Sequence, residues 1–140
     1  MKSLFVAAVP LALLAVAPPA ITDDEAIRAT VQHYFDGMMQ ADPAHLKLAF
    51  HPEARLIGPG RDGAALIIPF ERWANGWEGR DPRDPATHRN RIVSVDLSGA
   101  AAVAKTELTW PSVRYVDYLS LLKVHGEWKI VNKIWTEERP

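Results

Sequence analysis

The sequence predicts one α+β domain with a strongly curved antiparallel sheet, preceded by a short export segment. Three observations carry this expectation. The chain has 140 residues, the length of a single domain. Between residues 22 and 50, apolar side chains recur at helical spacing between recognisable caps. From residue 88 onward the pattern changes to strand-like runs divided by tight turns.

The first twenty residues read MKSLFVAAVPLALLAVAPPA. Lys2 gives a short positive start, and Leu4 to Ala17 is an apolar run too short to span a bilayer. Ala15-Val16-Ala17 fits the small-residue cleavage rule, although Pro18 would then follow the cut. A secretory signal over residues 1–20 is therefore expected, followed by one domain over 21–140 that works in the periplasm or outside the cell. The alternative is an uncleaved membrane anchor.

Thr22-Asp-Asp-Glu25 has the form of a capping box, with acidic side chains at the positive end of a helix. Ile27, Val31, Tyr34, Phe35 and Met38 then give that first helix one apolar face. Asp42-Pro43 ends it and opens a second, which buries Leu46, Ala49 and Phe50 and stops near His51 because Pro52 disfavours helix at the residue before it. Arg55 to Ile57 reads as a short strand, Gly58-Pro59-Gly60 as a break, and Ala64 to Ile68 as a second apolar stretch. Pro69 opens a third short helix with Phe70, Trp73 and Ala74 on one side. Residues 76–87, with Gly76, Gly79, Pro82 and Pro85, form a loop. Four strands follow, at about 88–97, 101–110, 113–124 and 127–136.

The turns between these strands set a register, and opposed residues share a face. A His125-Gly126 turn puts Lys123 opposite Trp128, Leu121 opposite Ile130, Leu119 opposite Asn132 and Asp117 opposite Ile134. A Pro111-Ser112 turn puts Leu108 opposite Tyr115, Thr106 opposite Asp117 and Ala104 opposite Leu119. A Ser98-Gly99 turn puts Val95 opposite Ala102, Val93 opposite Ala104 and Arg91 opposite Thr106. The resulting core face carries a polar row of Arg91, Thr106 and Asp117, with Asn132 diagonal to Asp117 and Tyr115 on the same face. The outer face collects Lys105, Glu107, Arg114, Lys129, Lys133 and Glu137, with Tyr118 and Trp135 among them.

Totals exclude several functions. There is no cysteine, so disulfides, thiolate metal sites, a cysteine nucleophile and a lipoprotein anchor are out. Lys and Arg total 16 against 17 Asp and Glu, with no basic stripe to suit a nucleic acid. No metal-binding His motif is present, and Gly58-Pro59-Gly60 lacks the Lys-Ser or Lys-Thr of a phosphate loop. No metal and no cofactor are expected.

The chain resembles the nuclear transport factor 2-like superfamily. The likeness rests on Val31-Gln-His-Tyr-Phe-Asp-Gly37, Leu48-Ala-Phe-His-Pro-Glu-Ala-Arg-Leu56, Tyr115-Val-Asp-Tyr-Leu-Ser-Leu-Leu-Lys123 and Gly126-Glu-Trp-Lys-Ile-Val-Asn-Lys-Ile-Trp135. Within it, the sequence is most similar to the bacterial branch labelled "putative lumazine-binding", a neighbour of the SnoaL-like cyclases. The resemblance covers roughly residues 22–138. It implies a cone, with three N-terminal helices packed into the concave side of the sheet and a pocket at the open end. It also implies dimerisation through the outer sheet face, which Tyr118 and Trp135 could serve. It carries no single activity, because relatives include isomerases, cyclases, dehydratases, transport factors and association domains.

Asp117 is the main candidate catalytic residue. Burial would raise its pKa and suit it to act as a general base, unless a structural ion pair to Arg91 occupies it. Tyr115 and Asn132 could hydrogen-bond a carbonyl, and His51 could reach the cone mouth. The expected function is an exported small-molecule-binding domain, its apolar or aromatic ligand lying against Tyr34, Leu119, Trp128 and Ile130 with Trp77 at the rim. Arg91 and Thr106 complete that site. One alternative is an isomerase or cyclase that uses Asp117 as base and Tyr115 or Asn132 for the enolate oxygen. The other is a dimeric association module with a filled cone and no ligand.

Overall fold

A computed structural model describes residues 19–139. The expected export segment therefore lies, apart from its last two residues, outside the described residues. Helix α1 spans Asp23–Gln40, α2 Pro43–Ala49 and α3 Phe70–Asn75. The strands are β1 (Phe50–Pro59), β2 (Ala65–Pro69), β3 (Arg89–Ser98), β4 (Ala101–Trp110), β5 (Val113–Val124) and β6 (Glu127–Glu138). They form one six-stranded, curved and unclosed sheet in the order β2-β1-β6-β5-β4-β3.

The helix ends follow from local chemistry. The Thr22 hydroxyl accepts from the Glu25 amide at 3.2 Å, and the Glu25 carboxylate accepts from the Thr22 amide at 2.7 Å, so the capping box is formed. The Asp42 carboxylate accepts from the Ala44 amide and caps α2, with Pro43 in its first turn. Helix α2 ends at Ala49, and Phe50 already belongs to β1, a longer strand than Arg55 to Ile57. Beyond Gly60 the chain doubles back, so β2 pairs antiparallel with β1. The other edge of β1 pairs with β6 in parallel, which brings the N-terminal half against the centre of the meander.

Two of the three meander registers start as expected. His125 and Gly126 both take positive φ, and Lys123 faces Trp128 across their turn. Ser112 also takes positive φ, and the β4–β5 ladder pairs Leu108 with Tyr115, Thr106 with Asp117 and Ala104 with Leu119. The β3–β4 turn differs. It uses Gly99-Ala100, so Ser98 faces Ala101 and Val95 faces Ala104. The ladder then shifts at Val93, leaving Ile92 opposite Thr106 and Arg91 opposite Glu107.

The β5–β6 ladder breaks in mid-strand. Leu121 pairs with Ile130, but the next pair is Ser120 with Asn132. Val131 is thus the extra residue of a β-bulge, which reverses the alternation beyond it. Lys133 turns inward opposite Leu119, and Trp135 follows it opposite Asp117. Strict alternation would have faced Asn132 and Ile134 into the core; instead Ile134 is exposed. Trp135 thereby leaves the outer face where it was expected.

The core lies between the concave face of the sheet and the three helices. Ile27, Val31, Tyr34, Leu46, Phe50, Leu119 and Ile130 are all buried. Phe50 and Phe70 stack with ring centroids 4.8 Å apart, seating α3 on β1. Gly58 has a specific packing role: a Cβ there would lie 2.4 Å from the Trp135 ring, so only glycine lets that indole lie across β1.

Candidate functional site

A cavity of about 170 Å³ opens into the cone. Tyr34 and Met38 from α1, Trp73 from α3, Leu108 and Trp110 from β4, and Lys133 and Trp135 from β6 are among its lining residues. Its walls are mainly aromatic. Trp73, Trp77, Trp110 and Tyr115 follow one another with centroid spacings of 5.9, 6.4 and 5.6 Å. Arg83 covers this row from outside, its guanidinium 5.3 Å from the Trp77 ring and 5.6 Å from that of Trp110.

One polar cluster sits in this apolar setting. Lys133 Nζ donates to the Tyr34 hydroxyl at 2.6 Å and lies 3.2 Å from Asp117 Oδ2. Tyr34 in turn donates to the same Asp117 oxygen at 2.6 Å, and Thr106 Oγ1 reaches it at 3.5 Å. The other carboxyl oxygen, Oδ1, is buried without a hydrogen-bond partner among the described residues. Asp117 and Tyr34 are fully buried and Lys133 nearly so. Three aromatic rings surround the amine, those of Tyr34, Trp73 and Trp135, at 4.9, 5.5 and 5.6 Å.

Burial dominates the electrostatics. It pushes the Lys133 amine below the ordinary lysine range, against the opposing pull of Asp117. Burial, and after it the charge of Asp117, pushes the Tyr34 hydroxyl well above its ordinary value. Tyr34 therefore stays protonated, able to accept from Lys133 while donating to Asp117. An ammonium has three N–H donors. The two oxygens use two of Lys133's, and among the described residues the third has only ring faces for company.

The expected site residues fall into two groups. Asp117, Thr106 and Tyr34 meet in the polar cluster, and Tyr34, Tyr115 and Trp77 line the cavity. Asp117 itself does not line it, but its carboxyl group contacts Tyr34 and Lys133, which do. The rest lie elsewhere. Arg91 is on the outer face, bonded to Glu107, which Arg114 also binds at 2.6 Å. Those two guanidinium groups hold the Glu107 carboxyl below its usual range. The bulge places Asn132 on the outer face beside Ser120. His51 lies in β1, where its Nδ1 accepts from the Glu53 amide at 3.1 Å, away from the cavity. Trp128 instead ties β6 to the start of α1, its Nε1 donating to Asp23 at 2.9 Å. Leu119 and Ile130 are core residues that do not line the cavity.

Lys133 is the residue that strict alternation misplaces. The available signal was Trp135: an unbulged β6 leaves that indole on the outer face and puts Asn132 in the core, both unfavourable. A second grouping also had no sequence motif. His33, Asp36 and His45 bring ligand-type atoms within 4.8 Å of one another across α1 and α2. None of the three lines the cavity.

A curved sheet wrapped on three helices around an open apolar cavity defines the nuclear transport factor 2-like class. Within that class the chain belongs to the family described as "Putative lumazine-binding", whose model matches residues 22–136. A nuclear transport factor 2-like protein of unknown function from Shewanella baltica superposes with a TM-score of 0.76 at 25% identity, covering 84% of this chain and 95% of that one. A second such protein, from Silicibacter pomeroyi, gives 0.72 at 26% identity, covering 84% and 100%. Aldolase FrzH of Cladobotryum sp. is 28% identical over 116 residues, which is 79% of this chain and 88% of that protein.

Proposed function

We propose that the cavity binds a small, mainly apolar or aromatic molecule that carries a carbonyl or similar acceptor. The observation that carries this is the amine of the cavity-lining Lys133, which meets two oxygens among the described residues, those of Tyr34 and Asp117, and has a third donor left for a further oxygen partner. A ligand carbonyl supplies that partner, and the aromatic walls supply the apolar contact. The volume of about 170 Å³ is close to that of an engineered cavity, about 150 Å³, that accepts benzene. One ring therefore fits inside, and a larger ligand extends through the opening. Asp117 holds Lys133 and Tyr34 in place and does not touch the ligand. Native mass spectrometry of the protein purified from its own source, before and after denaturation, tests this. A retained small molecule is the expected result. An empty chain that also gives no saturable change in tryptophan fluorescence with single-ring aldehydes and ketones overturns it.

A second reading treats the same cluster as acid–base machinery for chemistry next to a carbonyl. The 28% identity to aldolase FrzH favours it, as does the convergence of Tyr34 and Lys133 on one point of the cavity wall. Here Tyr34 and Lys133 would hold a developing enolate oxygen, with Asp117 acting through them. The cavity weighs against the association module, whose cone would be filled. We also propose that residues 1–20 direct export, tested by the N-terminal sequence of the mature chain. Pairing of two copies through the outer face would cover Val103, Tyr118, Leu122 and Ile134, all exposed. Sedimentation of the wild type against Tyr118→Lys tests that.

A further inference from the structure

We propose that Lys133 is a carbonyl-trapping amine, which condenses with an aldehyde or ketone held in the cavity to form an imine. This rests on reading the cavity as a small-molecule site and goes beyond it, since binding alone needs no covalent bond.

Imine formation requires a nucleophilic amine at the ligand, a proton relay that reaches both nitrogen and oxygen, and little water. The cluster supplies all three. Lys133 lines the cavity, and its Nζ lies among the rings of Tyr34, Trp73 and Trp135, which line it too. Tyr34 bridges Lys133 and Asp117 with two 2.6 Å hydrogen bonds, one accepted and one donated. Asp117 Oδ2, which Lys133 and Tyr34 both contact, is placed to take a proton from one and return it through the other, while Oδ1 has no hydrogen-bond partner among the described residues. The apolar walls limit the water that would hydrolyse the product. A depressed lysine pKa raises the fraction of free amine at neutral pH, as in other lysines that act on carbonyl compounds.

The protons balance within the cluster. One ammonium proton passes to Asp117, and the neutral nitrogen bonds to the carbonyl carbon as the π electrons move to oxygen. A second N–H proton moves to that oxygen, giving a carbinolamine. The proton held by Asp117 returns through Tyr34 to the hydroxyl group, the C–O bond breaks and water leaves. The nitrogen lone pair closes the iminium, which keeps the third proton and again faces the Asp117 carboxylate.

The test uses the full chain and two single-ring probes, 4-hydroxybenzaldehyde and 4-methylphenol, which lacks the carbonyl. Tryptophan fluorescence reads equilibrium binding of each. Sodium cyanoborohydride reduces any iminium to a stable secondary amine, and peptide mass mapping locates it. The expected result is saturable binding of both probes and a hydroxybenzyl group on Lys133. It should form there at least about tenfold faster than on Lys47, Lys105, Lys123 or Lys129, because the cavity holds the carbonyl beside this amine. The modification site is read in the wild-type chain, so no variant has to fold. Tyr34→Phe, which keeps the ring and removes the relay, should slow labelling of Lys133 alone. If both probes bind and Lys133 labels no faster than the surface lysines, the amine proposal fails and the cavity reading stands. If neither binds, both fail.

Discussion

Replacing the two charged members of the buried cluster singly and together tests whether they act as one unit. Asp117 has no exposed surface, and 9% of the Lys133 side chain is exposed. Asp117→Leu leaves a buried ammonium with only the Tyr34 hydroxyl, and Lys133→Met leaves a buried carboxyl with Tyr34 and Thr106. Breaking a buried pair from one side costs about 3–5 kcal/mol, and the lysine substitution should fall at the lower end because Asp117 keeps two donors. The double variant removes both charges and leaves one buried hydroxyl, Tyr34, without a strong partner, at about 1–3 kcal/mol. The two single costs should therefore exceed the double cost by at least about 3 kcal/mol. Urea unfolding followed by tryptophan fluorescence at pH 7 measures all four corners of the cycle. Single costs that add to within about 0.5 kcal/mol would refute the coupling.

Three further outcomes follow from the same geometry. Lys133 holds its proton less tightly in the folded chain than in the unfolded one, so its contribution favours folding increasingly as pH rises through the depressed pKa, up to the ordinary lysine value of 10.5. The stability of the wild type relative to Lys133→Met should rise over that alkaline window, in urea titrations at a series of pH values; a flat difference counts against a buried amine. Gly58→Ala should displace the Trp135 ring, since the new Cβ falls 2.4 Å from it, and so destabilise the fold and shift the tryptophan emission. Arg91→Ala and Asn132→Ala should leave the affinity for a single-ring aldehyde unchanged, because both side chains lie on the outer face. A large loss in either would return that residue to the site.

Features governed by a few neighbouring residues were legible in the sequence. The Thr22–Glu25 capping box needs only the geometry of one helical turn, and the Asp42-Pro43 junction needs only a cap and a fixed φ. One turn also transmitted its register over the full length of its strands. The Pro111-Ser112 turn set all ten β4–β5 pairs, from Ala101 with Leu122 to Trp110 with Val113, because no residue was added on either strand. That placed Asp117 beside Thr106, and the helical spacing placed Tyr34 on the buried face of α1.

The partner of Asp117 was decided by the tertiary structure. Arg91 was assigned to that role through an uninterrupted β3, and the Gly99-Ala100 turn with the shift at Val93 carried it to Glu107 instead. Lys133 was assigned to solvent through an uninterrupted β6, and the bulge at Val131 turned it to Asp117. Within Lys129-Ile-Val-Asn-Lys-Ile-Trp135 the only local sign of a bulge is the poor placement of Asn132 and Trp135 in an unbulged strand, and it does not say which residue is the extra one. What selects the bulge is distant: Trp135 gains cover against Gly58 of β1, and the Lys133 ammonium gains the Asp117 carboxyl of β5 and the Tyr34 hydroxyl of α1. The sequence alone determined the helices, the four strands of the meander and the buried acid. Only packing among strands far apart in the chain decided which base meets that acid, because one extra residue in a strand exchanges its two faces.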